Sequence, residues 1–190
     1  MRGKRSNPQA ARGGLWLARF ALAVAASLAL PGAALATGSN AGFIVAGVLA
    51  PNAPLRAGDY VWEVEGVAPG PLTIVVDLGT ERLYAYQGGV EIGRAFIMYG
   101  ADEKPTPTGT FTVLEKDADH VSNLYFAPMP YMLRLTWDGV AIHGSEVDER
   151  YATHGCIGVP DEFAALLFAK ARLGTRVLVT RGWRPDIYAS

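Results

Sequence analysis

Apolar positions along this chain change rhythm twice, and each rhythm predicts a different kind of element. Phe20 to Leu30 is a nearly unbroken apolar run rich in Ala and Leu. Residues 37 to 70 are rich in Gly, Ala and Pro, with one apolar stretch at Phe43 to Leu49 and the segment Asp59 to Glu65, and read as a lead-in with room for an edge strand. From Pro71 the pattern turns to β. Leu72 to Leu78 is β-branched, Arg82 to Gln87 alternates with period two, and Gly88-Gly89 predicts a tight hairpin returning through Val90 to Met98. Gly109 to Leu114 reads as a further strand after the turn-rich Lys104 to Thr108, and Asp138-Gly139 predicts a hairpin between Tyr131 to Thr136 and Val140 to His143. One helix is predicted: Pro160-Asp161 opens it, Phe163, Leu166 and Leu167 supply the i, i+3, i+4 stripe, and Gly174 closes it before a strand from Thr175 to Arg181. Short strands with regular turns and one principal helix predict an α+β domain that is mainly β, a mixed sheet or flattened barrel.

The first apolar run belongs to a different category. Arg2, Lys4, Arg5, Arg12 and Arg19 precede or enter it, no acidic residue occurs before Asp59, and Pro31-Gly32 leads into Ala34-Leu35-Ala36. That is the layout of a secretory signal, with cleavage expected after Ala36. The run is shorter than the roughly 20 residues that span a bilayer, so no stable membrane span is expected after cleavage, and the mature chain is expected in the periplasm or cell-wall space. The predicted organisation is a signal peptide at 1–36, the lead-in at 37–70, a catalytic domain at 71–182 and a tail at 183–190. Of 17 basic and 18 acidic residues, the signal holds five basic and none acidic, leaving 12 against 18 and a mature net charge of −6. Such a balance argues against nucleic-acid binding.

Cys156 is the only cysteine, so it forms no disulfide within the chain. A lone thiol is either a small apolar filler or a group kept for its reactivity. Its neighbours favour the second reading: Ala141-Ile-His-Gly-Ser145 is followed by Thr153-His-Gly-Cys-Ile-Gly158, which brings two histidines and the thiol together. A free thiol is mostly protonated at neutral pH, and an adjacent imidazole is the usual means of activating it. His143, at the end of a predicted strand, is the better-anchored base, whereas His154 shares the nucleophile's own loop. Gly155 removes a side chain beside the sulfur, so that the N–H groups of Gly155 and Cys156 can hold a developing oxyanion. His143, His154 and Cys156 also form a possible zinc set, because all three are borderline-soft ligands.

The segment His143-Gly144, then Thr153-His-Gly-Cys-Ile157 and Pro160 before a helix, resembles the signature of L,D-transpeptidase (YkuD-type) catalytic domains, and Thr106-Pro-Thr-Gly-Thr-Phe111 resembles the same family's strand entry. The resemblance spans roughly Pro71 to Arg181. It implies the family's catalytic fold and peptidoglycan peptide stems as partners; no nucleotide or flavin motif is present, and no cofactor or metal is expected. In that chemistry Cys156 attacks the amide at the L-centre of the third residue, a diamino acid, and expels the terminal D-alanine. The thioester then passes to an amine, giving a cross-link, or to water, giving carboxypeptidase action. By position His143 is the base, a carbonyl at Gly144 or its neighbour orients the imidazole, and His154 and Thr153 shape the site. The apolar, Pro-rich stretch Ser122 to Met132 corresponds to the region lining the substrate channel, which implies stem contacts for Tyr125 and Tyr131, with aromatic packing over the sheet as the alternative. His120, just before it, reads as a surface histidine.

The chain departs from the family pattern in two places: Gly158 stands where an arginine usually follows Cys-Ile, and the link from His143 to Thr153 is short. Arg134 and Arg150 are the candidates to replace that arginine in substrate binding. Papain-like and NlpC-type peptidases place the cysteine before the histidine, and sortases carry a Thr-Leu-x-Thr-Cys context that is absent here. A non-catalytic peptidoglycan-binding relative is the remaining alternative, against which the retained thiol argues.

Overall fold

The computed structural model describes residues 44–100 and 103–184. The predicted signal peptide lies outside the described residues, as does most of the predicted tail. Ten strands and one helix are formed: β1 Tyr60–Trp62, β2 Leu72–Asp77, β3 Arg82–Gln87, β4 Val90–Phe96, β5 Gly109–Thr112, β6 Glu115–Val121, β7 Pro128–Arg134, β8 Ala141–Gly144, β9 Ile157–Val159, α1 Asp161–Lys170 and β10 Arg176–Thr180. They make a six-stranded sheet in the order β1-β4-β3-β2-β10-β5 and a four-stranded sheet in the order β6-β7-β8-β9. Both sheets are mixed, because β10 runs parallel to β2 and β9 runs parallel to β8. The α+β, mainly β expectation holds, as two mixed sheets with one helix following the cysteine loop.

The hairpin at Gly88-Gly89 forms as the pattern predicts, joining β3 to β4 with both glycines at positive φ. β1 is the edge strand anticipated in the lead-in, paired antiparallel with β4. More of the lead-in is built into the domain than its composition suggests. Val45 is buried against Tyr84, Tyr86 and Trp183, and Leu49 is clamped by its N–H to Glu91 Oε2 (2.9 Å) and by its carbonyl to Arg94 Nη2 (3.1 Å). At the other end of the domain, the fully buried Asp77 carboxylate accepts hydrogen bonds from the Gly79, Gly182 and Trp183 amides and the Thr80 hydroxyl. Four donors offset the desolvation of that charge.

The pattern failed where charge hid a strand. β6 reads Glu-Lys-Asp-Ala-Asp-His-Val, with no apolar alternation to mark it. It is the outer strand of its sheet, where charged side chains keep an exposed edge from pairing with other chains. β7 begins at Pro128, inside the stretch read as a channel loop, and leaves only residues 122–127 as loop. The helix also ends earlier than Gly174 implies. Ala171 adopts an extended conformation, and Lys116 Nζ from β6 donates to the Phe168 and Ala171 carbonyls (2.7 and 2.6 Å), so the exposed last turn needs no glycine cap. Gly174 serves instead in the turn before β10 at φ 81°.

The principal core lies between the six-stranded sheet, the inner face of the four-stranded sheet and α1, and includes Ile74, Val76, Leu83, Ile92, Leu133, Ile142, Ile157, Phe163, Leu167 and Val177. Phe163 meets Trp62 edge-on at 5.4 Å between ring centroids, so the helix also packs onto β1. Only two of the three predicted stripe residues are inside: Phe163 and Leu167 are 0% exposed and Leu166 is 36% exposed, with Ala164 completing the buried face. Leu167→Ala is therefore expected to cost about 2–5 kcal/mol of unfolding free energy. Leu166→Ala should cost under about 1 kcal/mol. Chemical-denaturation midpoints of the two variants check the assignment, and equal losses would contradict it.

Candidate active site

Alternation in the four-stranded sheet builds the site. Register pairs Arg134 with Ala141 and Leu133 with Ile142 across β7 and β8, and Ile142 with Ile157 and His143 with Gly158 across β8 and β9. Paired residues share a face and successive residues alternate. Leu133, Ile142 and Ile157 thus point into the core, while Met132, Arg134, Ala141, His143 and Cys156 fall on the opposite face. All five line one cavity of about 530 Å³. Parallel neighbours require a crossover, and residues 145–156 supply it, so the chain leaves the sheet just after the histidine and re-enters it at the cysteine.

His143 is buried, and its Nδ1 lies 2.7 Å from the Gly144 carbonyl oxygen. A carbonyl only accepts, so Nδ1 carries the proton and the lone pair of the neutral ring resides on Nε2. Gly144 is confined to glycine, since a Cβ there would stand 2.5 Å from Asp161 Oδ1 and 3.0 Å from Pro130 Cγ. Burial lowers the pKa of His143 below its ordinary value. The Gly144 carbonyl and the Asp161 charge act against that shift, and His120 acts with it.

Cys156 is half-buried, with its stem on Met129, Met132 and Ala141 and its Sγ 3.3 Å from the Gly139 carbonyl oxygen. Burial raises the thiol pKa, opposed by the Ala141 backbone and by the Lys104 and Arg134 charges. The two shifts run in opposite directions, so the resting pair at neutral pH is thiol and imidazole and not thiolate and imidazolium. A neutral imidazole beside a protonated thiol is an arrangement that can pass a proton from sulfur to nitrogen when the sulfur reacts.

The cysteine loop is held by backbone constraints. Gly155 has φ 105°, a conformation strained for any residue with a side chain. Thr153 Oγ1 donates to the Cys156 carbonyl (2.5 Å), and the Thr153 amide donates to the Tyr99 carbonyl (3.0 Å). Thr106, buried, donates its hydroxyl to the Gly155 carbonyl (3.0 Å) and accepts from the Gly100 amide (2.9 Å). It ties the segment after β4 to the nucleophile's loop. Only its membership of the Thr-Pro-Thr-Gly segment marks it in the sequence.

The other expected site residues divide. His154 is exposed, and its ring stacks on Tyr125 at 4.5 Å with 19° between planes, at the cavity rim. Tyr125 lines the cavity, and so does Arg134, ion-paired to Glu115 Oε2 at 2.5 Å. Tyr131 does not line it. Its backbone at φ 57° breaks the alternation of β7, so that Met129 and Met132, three apart, both face the cavity while the Tyr131 ring packs on Phe168 at 5.9 Å. Packing over the sheet, the alternative to stem contact, is what the structure has at Tyr131. His120 is not a free surface histidine: it lies on the cavity wall, with Nδ1 3.2 Å from Asp117 Oδ2. Arg150 pairs with Asp148 on the surface, away from this cavity. Gly158 sits where a Cβ would be 3.2 Å from Ser145 Cβ and 3.3 Å from Met98 Cε, and its amide and carbonyl bond Met98 (2.9 Å each). A large side chain at that position would collide with both. Among the described residues no three His, Cys, Asp or Glu side chains converge as a metal centre would require.

The L,D-transpeptidase catalytic domain model of the YkuD family matches residues 71–179. The chain belongs to that family. No curated protein gives a significant match. Among solved structures, a cysteine-to-serine mutant of the Enterococcus faecium L,D-transpeptidase is 30% identical, with a TM-score of 0.53 over 58% of this chain and 50% of that one. An L,D-transpeptidase from Stackebrandtia nassauensis (22% identity, TM-score 0.55, 60% and 58% covered) and one from Mycobacterium smegmatis (23%, 0.52, 57% and 58%) share the fold. The chain spans between half and three-fifths of the length of these relatives.

Two outcomes follow from the site's geometry. Thr106→Val should lower the unfolding midpoint, by about 1–3 kcal/mol, because it leaves the Gly100 amide and the Gly155 carbonyl unpaired in a buried place. Alkylation of Cys156 by iodoacetamide should rise with pH through a midpoint on the alkaline side of the ordinary thiol value, since burial favours the protonated form. A midpoint on the acid side, read from mass-spectrometric labelling rates, would signal a preformed ion pair instead.

Proposed function

We propose that the chain is an exported peptidoglycan L,D-transpeptidase, with residues 1–36 as its signal peptide and 71–182 as its catalytic domain. Cys156 is the nucleophile and His143 the general base. The observation that carries this reading is the parallel pairing of β8 with β9, which sets a thiol and a tautomer-fixed imidazole on one face of a sheet and at the floor of one cavity.

In the proposed reaction the Cys156 proton moves to His143 Nε2 as the sulfur adds to the carbonyl carbon of the third stem residue. The oxyanion forms beside the Gly155 and Cys156 amides. Collapse breaks the C–N bond, and the proton on Nε2 passes to the departing D-amino acid, leaving a thioester and a neutral imidazole. An amine from a second stem then adds to the thioester while His143 takes its proton, and expulsion of the sulfur returns that proton to the thiol. Water in place of the amine completes hydrolysis by the same transfers.

Incubating the purified chain with a tetrapeptide stem and reading product masses tests this: cross-linked dimer or tripeptide supports it, and unchanged substrate sinks it. Cys156→Ser should lower turnover by ~10³-fold or more. His143→Gln should lower kcat by ~10²–10⁴-fold. His154→Gln should cost less, and a larger loss from it than from His143→Gln would reverse the assignment of the base. Because burial depresses the His143 pKa, the acid limb of kcat/KM should fall below pH ~6.5.

A further inference from the structure

Five basic side chains line the cavity: Lys104, His120, Arg134, His143 and His154. Most of them are already engaged. Arg134 is held by Glu115 and His120 by Asp117, His143 spends Nδ1 on the Gly144 carbonyl, and His154 is stacked on Tyr125. Of the two Lys and Arg side chains in the lining, Lys104 alone has no carboxylate within ion-pair reach among the described residues. Its Nζ is 3.4 Å from the Tyr125 hydroxyl and 5.7 Å from the centre of that ring. A phenol and an aromatic face orient an ammonium without neutralising it. Among the described residues Asp138 is the one carboxylate lining the cavity.

Lys104 is also bound to the nucleophile's loop. A Cβ placed on Gly155 would stand 3.7 Å from the Lys104 carbonyl oxygen and 4.0 Å from its Cγ, and Thr106, two residues on, bonds the Gly155 carbonyl. In a peptide whose penultimate carbonyl is attacked, that carbon and the carboxylate carbon of the leaving residue are three bonds apart, at most about 4 Å. The carboxylate therefore has to lie close to the sulfur. An exposed cation on a flexible stem, beginning at the sulfur's own loop, can reach it.

We propose that Lys104 is the carboxylate anchor of this site: its ammonium, steadied by Tyr125, binds the free α-carboxylate of the residue that departs when Cys156 attacks. This rests on the proposed acyl transfer and assigns a residue of this chain to the carboxylate of the leaving residue. The position after Cys-Ile, filled here by Gly158 and closed by Met98 and Ser145, has no cation to offer, and Arg134 is neutralised by Glu115. Charge recognition falls to Lys104, which has no carboxylate partner among the described residues.

The test uses the full chain carrying Cys156→Ala, so that binding is read without turnover, and two probes: a tetrapeptide stem and the same stem with a C-terminal carboxamide. Calorimetry should find the acid bound at least ~10-fold more tightly than the amide, the scale of a hydrogen bond between charged groups. Adding Lys104→Gln should bring the ratio close to one by weakening the acid alone, and Lys104→Arg should restore it. Equal binding of acid and amide, or a ratio that Lys104→Gln leaves unchanged, overturns the anchor. Failure of both probes to bind overturns the anchor and the acyl-transfer reading together. A Lys104-dependent ratio, with no turnover of the tetrapeptide by the unsubstituted chain, keeps the anchor and sinks acyl transfer.

Discussion

The parallel pairing of β8 and β9 is the constraint on which the rest of the site depends. Two parallel neighbours cannot be joined by a tight turn, so the chain must leave the sheet and come back, and here it does so in the twelve residues from Ser145 to Cys156. That excursion separates His143 and Cys156 in sequence while the register returns them to one face. The opposite face of the same strands carries Leu133, Ile142 and Ile157 into the core. A slip of one residue would bury the imidazole and thiol and expose the apolar set, so core packing protects the catalytic register. The bridges from Met98 to Gly158 and from Gly100 to Thr153 join the segment after β4 to the same loop, which links the two sheets at the site.

Electrostatics follow from this placement. Seating both groups at the foot of a cavity removes water from each, and desolvation disfavours the charged form of either: the histidine becomes harder to protonate and the thiol harder to ionise. The neutral pair still needs a defined direction for proton transfer, and the Gly144 carbonyl supplies it by holding the proton on Nδ1. Gly144 in turn is fixed by its closeness to Asp161 at the start of α1. The helix therefore contributes to the site from behind, through the backbone of the residue next to His143.

The chain's own variations on its family are compensated locally. Glycine at position 158 leaves space that Met98 and Ser145 occupy, and the Met98 backbone pairs with it on both sides. The lead-in, unremarkable in composition, covers one face of the large sheet through Val45 and supplies Trp62 against the helix. Around the cavity mouth, Tyr125 collects both His154 and Lys104, so one loop aromatic organises the only two basic groups at the rim that have no carboxylate partner among the described residues.

Where the local signal was strong, the sequence alone was enough. The Gly88-Gly89 and Asp138-Gly139 hairpins, the β-branched Leu72 to Asp77 strand, the helix after Pro160 and the convergence of His143 and Cys156 on one cavity are all legible, because turn chemistry, side-chain period and the grouping of residue types are properties of short segments. Features that depend on what lies across a gap were not legible. β6 is charged because it is an edge, Leu166 is half-exposed because only one side of α1 meets the sheets, and Tyr131 turns from the cavity because its backbone enters the left-handed region between Met129 and Met132. The closeness of Thr106 and Lys104 to the cysteine loop was equally hidden, since that loop lies some fifty residues away in the chain. The sequence by itself determined which segments pair locally and which residue types come together around the lone cysteine. Tertiary structure alone decided which face each side chain shows and which charges remain unpaired, because both depend on neighbours brought together by packing and not by adjacency along the chain.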